Sequence, residues 1–446
     1  MDNSKISARE KFSYGLASGG GNIISQVLGT FLTAYLTDSV GIAAAAVGTM
    51  LLLVRILDAA SDILMGSIVD RTNTRWGKAR PWLLISAPLI LVALVLMFNV
   101  PESFSGTAKL VYTYLAYIFL NCVCYTMLMV AHTALMPRMT LDGQERQKMA
   151  SINQIVNQVC GLTVTTFMAG LVVKYGWRTT TIIYGIATAV LILIGFFGTK
   201  ERLGEVDGVQ KKKESVPLKV ALPAIGKNKY FFLLMAFFTL LYIMATGAGS
   251  VTYYYCNIIL EDVGLISIIS GCSIVTLLII NFFVPSLTKR FGRRKCMIAG
   301  TLGCAVGYSL IGMGGTTLPL VVAGVAVKGM SLGILFSTGY AMTADVVDYG
   351  DWKTGVRSEG LLVSCVSFGT KVGTGLGPAI AAWLLAMAGY DGMAKVQTET
   401  AKFMIRFSFG WFGLILALMI VVVVFFMNIE KDAPQMREDL EKRRQG

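Results

Sequence analysis

Residues 54–82 read VRILDAASDILMGSIVDRTNTRWGKARPW. The first half is an apolar helical run of the kind that lies in a bilayer, yet it holds Arg55, Asp58 and Asp62. A charge near the bilayer centre costs at least ~2.5–3.5 kcal/mol on insertion scales, so such side chains normally face a cavity and carry function. Asp58 and Asp62 are i and i+4, one turn apart on one helix face, and Arg55 can reach that face from three residues earlier. Ser61 adds a hydroxyl beside them. Two stacked carboxylates with neighbouring oxygens suit a small hard cation such as Na⁺, or a proton whose affinity rises where like charges lie close. The plainer alternative is a helix contact in which Arg55 holds Asp58; it leaves Asp62 unexplained. The second half, DRTNTRWGKARP, is a tight basic turn of the kind retained on the cytoplasmic side.

The rest of the chain agrees with a membrane setting. Of its 446 residues 55% are hydrophobic and only 15% charged, with a mean hydropathy of +0.66. A soluble chain of this size needs far more polar surface, so the composition implies a polytopic membrane protein with the lipid bilayer as its partner. The net charge of +13 sits in short loops, where retention inside accounts for it without nucleic acid. The eight cysteines are scattered through apolar runs, and His132 is the sole histidine, so no zinc-ligand spacing arises. The N-terminal MDNSKISAREKFSYG is charged and lacks an apolar core with a cleavage site, so no signal peptide is expected to be removed.

Apolar runs long enough to span fall at 12–40, 44–69, 82–100, 109–136, 148–174, 179–199, 229–256, 265–288, 296–314, 317–344, 359–388 and 401–427. They amount to twelve all-α spans. With both termini cytoplasmic, the inside loops hold 30 Lys and Arg against 5 outside, which sets a multi-pass orientation in the cell (inner or plasma) membrane. The expected organisation is a six-helix bundle over 1–199, a charged linker over 200–228, a second bundle over 229–428 and a tail over 429–446. TRWGKARPW (74–82) and KRFGRRKCM (289–297) occupy corresponding places in the two halves. An aromatic–Gly pair flanked by basic residues at both implies a duplicated unit, with a substrate cavity expected between the halves.

These features resemble the major facilitator superfamily. LDAASDILMG (57–66), NTRWGKARPW (73–82), ADVVDYGDWKTGVRSEG (344–360) and FGTKVGTG (368–375) resemble its glycoside–pentoside–hexuronide:cation symporters, along nearly the whole chain. GTMLLLVRILDAASD (48–62) and NTRWGKARP look most like the glucuronide-carrying members. The resemblance implies sugar uptake driven by Na⁺ or H⁺ through alternating access, with no organic cofactor. It implies a cation site at Asp58, Ser61, Asp62 and Thr126, where Na⁺ would be held by the carboxylates, and a lysine shared between cation and sugar at Lys371. A cytoplasmic gate is implied at Arg146, Asp345, Asp348 and Arg357, residues at loops or helix ends where ion pairs close and reopen at low cost.

The substrate positions depart from the melibiose-carrying members. Where those have an aspartate in span 1 this chain has Asn22, with Gly21 in place of a lysine. Met129 replaces an aspartate, Gln154 an arginine and Phe336 a tryptophan. Losing both carboxylates argues against a melibiose-like substrate. Gln26 lies one turn below Asn22, and Asn153, Gln154, Asn157 and Gln158 make a polar stripe for hydroxyls or for helix contacts. His132, a turn after Met129, is a candidate cavity residue or a packing histidine. The midplane charges are Arg55, Lys328 and Lys371 against Asp58 and Asp62. Binding one cation enlarges the positive surplus unless an anion enters or a lysine loses its proton. An anionic glycoside such as a glucuronide, met by Lys371 and Lys328, is therefore expected. Snorkelling or a helix contact is the alternative for Lys328. Met129 and Phe336 also suit an amphipathic aglycone.

Other classes fare worse. A membrane enzyme needs a nucleophile–base pair or a metal cluster, which one histidine and scattered cysteines do not supply. A channel has no need for duplicated halves. Within transport, the alternative is an amphipathic non-sugar organic anion, such as a steroid conjugate or a lysolipid, since vertebrate relatives of the family carry lysolipids. The chain is expected to act as a monomer on a small-molecule substrate.

Overall fold

A computed structural model describes residues 6–202 except 141, residue 226, residues 228–430 except 355–358 and 395, and residues 435, 436, 438 and 439. Among the described residues the chain is nearly all helix, and every apolar run read from the sequence falls on one. The first half runs α1 (Ala8–Ala34), α2 (Ala44–Arg71), α3 (Arg80–Met97), α4 (Gly106–Ile118), α5 (Thr126–Met139) and α6 (Gly143–Gly198). The second runs α7 (Lys229–Tyr254), α8 (Leu265–Phe291), α9 (Arg293–Gly314), α10 (Leu318–Thr354), α11 (Glu359–Met387), α12 (Glu399–Arg406) and α13 (Phe412–Phe426). A π-helical turn, Phe119–Tyr125, joins α4 to α5, and another, Phe407–Trp411, joins α12 to α13, so each pair forms one continuous rod. α6 contains two arms meeting at Gly176, whose φ of 77° breaks the helix between runs 148–174 and 179–199. Nine of these helical stretches, among the described residues, are long and apolar enough to cross a membrane. Helices are the expected solution, because a spanning segment must satisfy every backbone N–H and C=O within itself.

The helices group into two compact units. Unit 1 comprises Met1–Val209, Asp262–Ser270 and Gly389–Gln397; unit 2 comprises Gln210–Glu261, Gly271–Ala388 and Thr398–Gly446. Small residues set the packing inside each. In unit 1 a Cβ on Gly19 of α1 would lie 2.6 Å from the Cys160 sulfur of α6. In unit 2 one on Gly373 of α11 would lie 2.7 Å from the Thr239 carbonyl of α7, and one on Gly307 of α9 would lie 2.7 Å from the Lys328 backbone nitrogen of α10. Lipid tails are as apolar as the helices, so close backbone approach supplies the association that water-driven burial supplies elsewhere.

The repeated basic turns are built alike. After α2 the chain turns at Gly77 (φ 105°), and the Glu201 carboxylate accepts from the backbone N–H groups of Lys78, Ala79 and Arg80 at 2.8–3.0 Å. Arg80 donates to the Phe196 carbonyl at 2.8 Å and stacks over the Phe196 ring. In unit 2 the turn is Gly292 (φ 84°), and Glu430 accepts from the N–H groups of Arg293 and Arg294. Arg294 donates to the Phe425 carbonyl at 2.8 Å and lies over that ring. Each carboxylate answers otherwise unpaired donors at the positive end of a helix, the start of α3 and of α9. The carboxylate partners, Glu201 and Glu430, are residues the sequence motif does not contain.

Candidate functional site

α2 points its Asp58 side into unit 1, leaving Ile56, Leu57, Ile63 and Leu64 exposed on the other side. Asp58 is 5% exposed, and its Oδ1 accepts from the Thr126 hydroxyl at 3.0 Å. The Ser61 hydroxyl donates to the Asp58 carbonyl at 2.9 Å and lies 3.2 Å from the Thr126 oxygen. Arg55 stands 3.7 Å from Asp58 Oδ2 and within electrostatic reach of Tyr117, Cys122 and Tyr125. Asp62 is half-buried one turn further along, within reach of Tyr125. Three of the four residues expected at the cation site are thus in direct contact, and the fourth lies next along the same helix.

The α4–α5 rod makes this possible. Thr126 is the first residue after the π-helical turn Phe119–Tyr125. An i→i+5 turn adds a residue to the rod and rotates the helix beyond it, a device that recurs at functional sites. Arg55 and the two carboxylates together carry one net negative charge when all are ionised. A monovalent cation makes the group neutral, which a low-dielectric interior favours. Oxygens from a carboxylate and two hydroxyls are hard donors of the kind Na⁺ accepts, and either carboxylate can take a proton instead.

The substrate candidates of unit 1 also gather. Asn22 donates its amide N–H to the Asn157 carbonyl at 2.5 Å, and Asn157 donates to the Ser18 hydroxyl at 2.8 Å and the Asn153 carbonyl at 2.9 Å. Gln26 lies beside Gly161, and Gly21 lies against Met129 of α5. Gln154 is exposed one turn before Asn157 and Gln158 on α6. His132 is placed otherwise: it is buried, stacked on Tyr14 with ring centroids 4.0 Å apart. Its Nε2 lies 3.0 Å from the Tyr14 carbonyl, and the Tyr14 hydroxyl donates to the His132 carbonyl at 3.2 Å. That reciprocal pair between α1 and α5 is the packing role.

In unit 2, Phe336 of α10 is half-buried, and its ring meets that of Tyr242 edge-on at 5.3 Å. Lys371 is half-buried on α11. Lys328 is 8% exposed, its amine lying 5.6 Å from the Tyr308 ring centre and 5.8 Å from that of Phe409. Two aromatic faces attract an ammonium, so Lys328 has packing partners on α9 and on the turn joining α12 to α13. Of the expected gate residues, Arg146 donates to the carbonyls of Thr140 at 2.8 Å and Pro137 at 3.3 Å, within unit 1. Asp345 is in an ion pair with Arg293, within unit 2. Asp348 is half-buried in that unit, and Arg357 lies outside the described residues. Arg293 and Thr126's π-helical setting carried no local signal in the sequence beyond the basic turn itself.

The family model described as MFS/sugar transport protein matches residues 13–431. The chain belongs to that family. It is 33% identical to the isoprimeverose transporter of Lactiplantibacillus pentosus over 97% of this chain and 91% of that one. It is 31% identical to the glucuronide carrier protein homolog of Escherichia coli (strain K12) over 95% and 93%. Among solved structures, the nucleoside transporter NupG superposes with a TM-score of 0.69 at 14% identity, covering 94% of this chain and 99% of that one. The fold is that of the major facilitator superfamily, and the chain is a multi-pass membrane transporter of the glycoside symporter type, not an enzyme.

Proposed function

We propose that this transporter takes up an anionic glycoside, a glucuronide or related hexuronide, together with Na⁺ or H⁺. The reading rests chiefly on the contact of Asp58 with Thr126 and Ser61 beside Arg55. Lys371 adds a half-buried positive charge on α11. A substrate carboxylate answers such a charge more strongly than a hydroxyl does. The similarity to a glucuronide carrier homolog supports this substrate class, and the isoprimeverose transporter sets a second sugar to test beside it. The half-buried Met129 of α5 favours a substrate with an apolar portion, which keeps a non-sugar amphipathic anion as the second reading.

The test uses the full chain in proteoliposomes with a labelled glucuronide, under an imposed Na⁺ gradient or an imposed pH gradient. Accumulation driven by one of the two gradients, competed by hexuronides better than by isoprimeverose or a neutral glycoside, is expected. Equal competition by neutral and acidic glycosides removes the anionic preference. Competition by an unglycosylated steroid sulfate or a lysolipid in place of sugars transfers the assignment to the second reading.

A further inference from the structure

The two basic turns carry a second, outward-facing feature that is the same in both units. In unit 1 the Arg75 guanidinium lies 4.6 Å from the ring centre of Trp76, and in unit 2 the Arg290 guanidinium lies 5.3 Å from that of Phe291. Each pair stands immediately before a left-handed glycine, Gly77 or Gly292. Both rings stay open, Trp76 at 38% exposure and Phe291 at 49%. Exposed aromatic rings at the ends of spanning helices are interfacial anchors, held at the level of the lipid headgroups.

The helix faces leading to the turns are apolar. α2 exposes Ile63, Leu64 and Ile68 before Arg71, and α8 exposes Ile279, Phe282 and Phe283 before Lys289. Exposed apolar runs of this kind are covered by a membrane, which places each turn at its polar boundary. Basic residues just beyond a spanning helix are drawn to an anionic leaflet.

The protein does not answer these charges itself. The nearby acids are engaged elsewhere: Asp70 with Arg138, Asp345 with Arg293, and Glu201 and Glu430 with backbone N–H groups. Among the described residues, the exposed Arg71, Arg75, Lys289, Arg290 and Lys295 enter no ion pair. A ring attracts a guanidinium as a charge but offers its planar N–H donors no oxygen. Those donors match the paired oxygens of a phosphate group.

We propose that each basic turn binds the headgroup of an anionic phospholipid. Arg75 and Arg290 take the phosphate, while Trp76 and Phe291 lie against the upper part of an acyl chain. The repeat thus gives the chain two lipid sites of one design, one in each unit. The helix starts beside them are already occupied by Glu201 and Glu430, so the side chains alone carry the attraction.

Native mass spectrometry of the full chain in detergent, titrated with phosphatidylglycerol or with phosphatidylcholine of the same acyl chains, counts the bound lipids. Wild type should hold two phosphatidylglycerols in preference to phosphatidylcholine. Arg75→Gln and Arg290→Gln should each weaken one of the two about fivefold, the loss of one interfacial cation. The double variant should no longer distinguish the lipids. Lys174→Gln is the control: Lys174 also stands over an exposed ring, Tyr175 at 5.1 Å, but on the first arm of α6, and its loss should leave both lipids bound. In nanodiscs the thermal midpoint of wild type should rise with the phosphatidylglycerol fraction, and that of the double variant should not. If the double variant fails to fold, Arg75→Lys with Arg290→Lys keeps the charge, removes the planar donors and should weaken retention to a lesser degree. Unchanged retention in either double variant, or equal loss in Lys174→Gln, overturns the inference. So does equal binding of phosphatidylcholine by wild type, or displacement of the lipid by inorganic phosphate, which would make the turns sites for a free anion.

Discussion

At the scale of single residues, Asp58 is the hub of a polar contact group in unit 1. It accepts from Thr126, is flanked by Ser61 and faces Arg55. Removing one charge from the group leaves Arg55 opposed only by Asp62, so Asp58→Asn should abolish gradient-driven accumulation. Exchange of substrate across the membrane at equal concentrations should persist, because it needs no net movement of the ion. Full accumulation in Asp58→Asn vesicles, measured beside the exchange rate, would remove the cation assignment. Thr126→Val keeps the shape and loses one oxygen; the coupling ion should bind about tenfold more weakly, near 1.4 kcal/mol, read from the ion concentration at half-maximal uptake. His132 should behave differently. His132→Leu leaves the Tyr14 carbonyl without its ring partner and should lower the thermal midpoint by an amount equivalent to about 1–3 kcal/mol. Its substrate KM should stay at the wild-type value, whereas a contact residue would shift it.

Among elements, the two basic turns behave as fasteners. Glu201 sits five residues after Phe196, and Glu430 five after Phe425; each pair binds the N-terminus of one helix and an arginine of its first turn, Arg80 or Arg294. Gly77 has φ 105°, and a Cβ there would lie 2.4 Å from the Glu201 carboxyl carbon. Gly77→Ala is therefore strained twice, by backbone conformation and by collision, and should destabilise unit 1 by at least ~1–2 kcal/mol. Glu201→Ala should cost ~1–3 kcal/mol by leaving three N–H donors unanswered. Both are measured as midpoint shifts of the purified chain in detergent, and an unshifted Glu201→Ala would show that water serves those donors equally well. The glycine–basic pattern of both turns was legible in the sequence. The carboxylates that complete them were not, because they lie more than a hundred residues further along the chain and no local periodicity points to them.

For the whole molecule, the ionisable side chains of the spans are divided between the two units. Unit 1 carries the carboxylates with Arg55, and unit 2 carries Lys328 and Lys371. Lys328 has two aromatic faces about it, and Lys371 is the lysine proposed to meet a substrate anion. Lys371→Gln should raise the KM for a glucuronide at least about tenfold, the loss of a charge-assisted bond. A neutral glycoside should lose far less, and equal losses for both, measured in the same vesicles, would place Lys371 outside substrate selection.

By itself the sequence determined that this chain crosses a membrane repeatedly as helices, that a basic glycine turn recurs in its second half, and that its second span carries ionisable groups. Those conclusions are local. Lipid leaves the backbone no partner but its own helix, and a charge within an apolar run marks that run as unusual before any neighbour is known. Tertiary structure alone decided the company each side chain keeps. It set Asp58 on Thr126 through a π-helical turn, locked His132 onto Tyr14, enclosed Lys328 in rings and paired Tyr242 with Tyr340. Such contacts join helices distant in the chain, and their geometry depends on helix rotation and close approach at small residues, which a hydropathy pattern does not encode.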